Sequence, residues 1–119
     1  MATFSKSILS GSTDGKGIKV VQTATAGTTI HTGSSTAATL HEVWLYAVNS
    51  SASDVKLTIE WGEATAPDGN IEYTVKAENG LYLIVPGLIL KGNATPLVVK
   101  AFAATANVIV IHGYVNVIA

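Results

Sequence analysis

The clearest pattern in the chain lies between positions 39 and 62, where two runs of alternating side chains flank a polar turn. Val55, Leu57, Ile59 and Trp61 alternate with Asp54, Lys56, Thr58 and Glu60. That period of two gives a strand one apolar face and one polar face. The run before it breaks the rule. Val43, Leu45 and Ala47 supply an inward face, yet Leu40, Trp44, Tyr46 and Val48 leave the opposite face apolar as well. Large apolar groups on both faces need cover on both, one from the domain's own second sheet and one from elsewhere. The pattern points to other protein chains as the second cover, with Leu40, Trp44 and Tyr46 as subunit contacts.

Similar alternation recurs along the chain. Strands are predicted over 17–25, 28–32, 71–77, 81–85, 88–90, 97–104 and 108–118, besides the central pair. Pro67-Asp68-Gly69 and Glu78-Asn79-Gly80 read as turns, and Pro86-Gly87 as the end of a strand. The last strand, from Val108 to Ile118, is interrupted only by His112, Gly113 and Asn116. It reads as a central strand covered on both sides. No segment shows helical periodicity. Eight or nine short strands imply an all-β, two-sheet antiparallel sandwich, with a jelly roll the first choice and an immunoglobulin-like sandwich the second. Residues 17–119 read as a single β-sandwich domain. Residues 1–16, rich in Ser, Thr and Gly, read as a flexible N-terminal arm whose Phe4, Ile8 and Leu9 reach a neighbouring chain.

Composition sharpens this picture. Charged residues are 13% of 119 positions and hydrophobic ones 48%, against roughly 25% charged in an ordinary soluble domain. Such a chain buries an unusual share of its surface or assembles. Its seven basic residues are all lysine and the net charge is −1, which disfavours a nucleic-acid partner. The absence of cysteine excludes disulfide and thiolate chemistry. No run is long enough to span a bilayer as a helix, and no continuous apolar segment marks a secretory leader, so no membrane partner is expected. The expected site of synthesis is the cytoplasm.

Five segments together resemble a known kind of protein. Residues 80–87 (GLYLIVPG), 100–107 (KAFAATAN) and 112–118 (HGYVNVI), with 29–32 (TIHT) and 42–46 (EVWLY), are similar in texture and order to small β-sandwich virion proteins of tailed bacteriophages. The resemblance covers roughly residues 27–119. It implies a capsid decoration, or cement, protein: a homo-oligomer, with a trimer favoured, that sits on the virion surface and clamps subunits of the major capsid protein. It supplies no catalytic residues. The alternative reading is a carbohydrate-binding jelly-roll module of a phage tail or fibre, built on exposed aromatics.

Candidate chemistry is sparse, and neither an enzyme nor a cofactor is expected. His31, His41 and His112 have no metal-ligand spacing, although three strand-borne histidines could converge in space. Asp68, Asn70 and Glu72 offer too few oxygens for calcium. Glu60 and Glu63 are the one carboxylate pair worth weighing for glycoside hydrolysis, but Glu60 falls on the polar strand face, where a solvated charge is the default.

Overall fold

The computed structural model describes residues 2–119 and contains no helix among them. Nine strands run in chain order: β1 (Phe4–Ile8), β2 (Ile18–Lys19), β3 (Thr28–Thr32), β4 (Leu40–Asn49), β5 (Val55–Trp61), β6 (Asn70–Val75), β7 (Tyr82–Lys91), β8 (Val98–Ala103) and β9 (Ile109–Ile118). They form two antiparallel sheets, the sandwich the alternation predicts. One sheet has the order β1-β9-β4-β7, with β2 also paired to β9; the other has the order β3-β8-β5-β6.

The core lies where the inward parities of the two sheets meet. Val43, Leu45 and Ala47 of β4 and Ile109, Ile111 and Val115 of β9 are buried on one side. Leu57 and Ile59 of β5, with Val99, Ala101 and Ala103 of β8, are buried on the other. Trp61 and Tyr73, half-buried, pack against this cluster. Each fully buried Leu or Ile contributes about 1.5–3 kcal/mol through apolar burial. β9 is central, as its apolar run predicts, with β4 on one side and β1 and β2 on the other.

The structure departs from the sequence reading in three places. The first is the N-terminal segment. Phe4–Ile8 form a strand paired over all five residues with β9. Leu9 then turns into the core at 1% exposure, so it is not a contact for a neighbouring chain. Backbone bonds hold this segment down, from Gly11 N–H to the Ile30 carbonyl (2.9 Å) and from Ser12 N–H to that of Leu9 (3.0 Å). With Ser10 N–H bonded to His31, the four residues from Leu9 to Ser12 are each buried or pinned and form no free arm.

The second is β7. Pro86-Gly87 does not end it, and the strand continues through both. Its register against β4 shifts between Val43 and Trp44 and again between Leu45 and Tyr46. An edge strand tolerates a missing N–H and a bulge because one of its sides has no ladder to keep. Gly87, at φ 79°, sits against the Trp44 indole, where a Cβ would approach ring atoms to 2.9 Å.

The third is the stretch after β2. Only two of the residues predicted there as strand pair with β9. Residues 20–27 instead form a strap, held by Val20 N–H on the Ile109 carbonyl (2.9 Å) and Ala103 N–H on that of Gln22 (3.1 Å). The strap covers Glu60, which is therefore buried at 2% exposure and not solvated. Its carboxylate accepts the Thr25 hydroxyl on one oxygen and the Gly27 N–H (2.7 Å) on the other. Gly27 is required there, since a Cβ would come within 2.5 Å of the Ala101 backbone.

Candidate functional site

Register places a continuous set of large side chains on the outer face of the five-stranded sheet. On β4 the outward positions are Leu40, Glu42, Trp44, Tyr46 and Val48. Opposite them on β9 stand Ile118, Asn116, Tyr114, His112 and Val110 in the same order. β1 adds Phe4, Lys6 and Ile8, in register with Ile118, Asn116 and Tyr114. β7 adds Leu83 beside Tyr46, Pro86 beside Trp44 and Ile89 beside Glu42.

The centre of this face is built, not merely left over. The Trp44 and Tyr114 rings are stacked, with centroids 6.1 Å apart and planes 10° from parallel. The Lys6 ammonium lies 4.8 Å from the Tyr114 ring centre, within cation–π range. The Trp44 indole N–H donates to Glu42 Oε1 (2.8 Å), and the Asn116 amide donates to the same oxygen (2.7 Å). These two donors hold the Glu42 carboxyl below its ordinary pKa. Glu42 therefore stays ionised and fixes the indole. β9 approaches β4 closely at Gly113, where any Cβ would meet the Trp44 carbonyl oxygen.

Phe4, Ile8, Leu40, Trp44 and Tyr46, all singled out from the sequence, thus share one face. Leu9 does not, being in the core. Tyr114, Leu83 and Ile89 were not singled out as contacts on this face. The apolar run of β9 pointed to Tyr114. The β7 residues were obscured by reading Pro86-Gly87 as a break.

Two of the three histidines meet. The Ser10 N–H donates to His31 Nδ1 (3.0 Å), so the ring proton is on Nε2, 2.8 Å from His41 Nδ1. His112 lies apart, opposite Tyr46 on the outer face. Burial, reinforced by the His41 ring, lowers the His31 pKa to about 4. Neither ring takes a second proton without losing one of these two hydrogen bonds. The pair joins β3 of one sheet to β4 of the other. No cluster of three or more His, Cys, Asp or Glu suited to a metal occurs among the described residues.

A surface cavity of about 340 Å³ is lined by Glu60, Glu63, Lys100, Pro96, Leu97 and Val98, among others. Both weighed carboxylates therefore border one cavity. Glu60, however, spends both oxygens on the strap, which is a structural use. Asp68-Gly69-Asn70 is a turn, closed by Gly69 N–H on the Thr65 carbonyl (2.9 Å) and Asn70 N–H on that of Pro67 (3.1 Å).

Comparison with protein-family models, with curated proteins and with solved structures returns no match.

Proposed function

We propose that this chain is a structural assembly protein, a capsid decoration protein that binds the outer shell of a tailed-phage head as a homo-oligomer. One observation carries the reading: the outer face of the five-stranded sheet is aromatic and half-buried at its centre and apolar and exposed at its margins, and among the described residues no further strand packs on it. The segment resemblance supports the choice of a virion shell as the surface so covered. The role is passive. A copy bound across a joint between shell subunits adds its binding free energy to the assembled state alone and so opposes rupture. Trp44, Tyr114 and Tyr46 are the anchors, because desolvated aromatics at the middle of a patch dominate binding energy. The five-residue ladder of β1 keeps Phe4 and Ile8 beside them.

The test uses heads of the phage whose genome encodes this chain, assembled without it. Purified protein should co-sediment with such heads, saturate at a fixed copy number and raise the temperature at which they burst. Absence of saturable binding, or binding to host glycans in its place, contradicts the reading.

A further inference from the structure

The most exposed apolar groups are not at the centre of the face. Large apolar side chains standing free in the structure fall into two groups. Phe4 and Ile8 lie on the edge formed by β1 and β2, and Val21 stands in the strap that leads away from it. Leu81, Leu83, Leu88 and Ile89 lie on or next to β7, the opposite edge of the same sheet, where Tyr82 is stacked on Tyr73 of β6. Phe4 is 74% exposed and Leu81 57%.

The edges of the other sheet differ. β6 presents Glu72, ion-paired to Lys56 at 3.0 Å. β3 is mostly threonine and has a register shift between Thr29 and His31. Charges and bulges are the usual means of blunting an edge against pairing. β7 is ten residues long, and its one charged residue, Lys91, is its last. Its bulges arise against β4, inside the sheet.

We propose that the two edges of the five-stranded sheet join copies of this chain head to tail, β7 of one against the β1–β2 edge of the next, closing a ring. Strand direction alternates through β1-β9-β4-β7, so β1 and β7 run in opposite senses. Set side by side in neighbouring copies they form an antiparallel pair, and the sheet continues across the joint. A two-fold joint of β7 on β7 is also antiparallel, but it leaves Phe4 and Ile8 uncovered. The head-to-tail joint uses both edges of every copy, and it closes into a ring where the rotation from copy to copy is a whole fraction of a turn, as a closed oligomer requires. It rests on the reading of the chain as a shell-binding oligomer and divides the labour within it. The edges make the joint between copies, and the aromatic centre, including the Leu40, Trp44 and Tyr46 assigned from sequence to subunit contact, faces the shell.

Two double variants test the joint: Phe4→Lys with Ile8→Lys at the first edge, and Leu83→Lys with Ile89→Lys at the second. All four positions are exposed, and far-ultraviolet circular dichroism verifies that each variant folds. Sedimentation velocity should show a closed oligomer for the unaltered protein and a monomer for each variant alone. An equimolar mixture of the two variants should give a dimer of one copy of each, since only one competent joint remains. Variants that keep the unaltered mass, that dimerise alone, or that stay monomeric when mixed overturn the joint. Binding to heads is read in parallel: variants that keep the unaltered mass and bind leave the shell reading intact, whereas failure of the unaltered protein to bind removes that reading.

Discussion

The two sheets of this sandwich share a core but turn opposite characters outward. The four-stranded sheet shows water a polar face, with Lys56 paired to Glu72 at 3.0 Å and, just beyond, Lys76 paired to Asp54 at 3.2 Å. The five-stranded sheet shows a Trp–Tyr stack with aliphatic margins. The chain nevertheless spends its own strap on the polar sheet, burying Glu60, while among the described residues no strand packs on the aromatic sheet's outer face. A lone sandwich minimising its own apolar surface would use the strap the other way. The proposed assembly role accounts for this difference: the indole at the centre of that face is already held by its own carboxylate and amide neighbours.

Changes to the aromatic centre should have the largest effect. Trp44→Ser with Tyr46→Ser should reduce binding to heads by 100-fold or more in a co-sedimentation titration, while thermal unfolding confirms that the fold persists. The seam between the sheets comes next. A buried histidine with a lowered pKa favours the folded state above its unfolded value near 6.5, and that stability is lost as pH falls toward about 4. The loss should approach roughly 3 kcal/mol across that window. Urea unfolding at a series of pH values measures it, and His31→Gln should flatten the slope between 6.5 and 4.

The strap is expected to matter somewhat less. Glu60→Ala removes the acceptor for Thr25 and Gly27 and should cost about 1–3 kcal/mol by urea denaturation. It should also speed amide exchange at Gly27, without weakening head binding. The smallest effect belongs to the exposed pair on the polar sheet. Lys56→Ala should change stability by less than about 1 kcal/mol and leave head binding unaltered. If Lys56→Ala weakened binding as much as the Trp44 and Tyr46 changes, the contrast between the two faces would fail.

Much of this arrangement was legible in the sequence because parity is a local property. Val55, Leu57 and Ile59 declare an inward face by themselves, and Trp44 and Tyr46 declare a second apolar face on β4. What parity cannot state is which face the rest of the chain covers. Glu60 has the alternation of a solvated residue and is buried because residues 20–27, distant in sequence, lie over it. Leu9 looked like part of an arm because the segment around it is rich in Ser, Thr and Gly, and its burial goes with a long-range bond from Gly11 to the Ile30 carbonyl that no local pattern announces. The His31–His41 contact was equally hidden, since it requires β3 and β4 to lie in different sheets and meet at their ends. In β7, Pro86-Gly87 signalled a break that an edge strand absorbs as a bulge.

Trp44 itself is the most direct reporter of whether this face becomes covered. Trp61→Phe leaves it as the sole tryptophan, the chain having two. Titrating that variant with heads that lack the protein should shift its emission to the blue and protect it from acrylamide quenching as copies bind. Protein that sediments with the heads while Trp44 keeps the emission and quenching of the free chain would show that some other surface makes the contact.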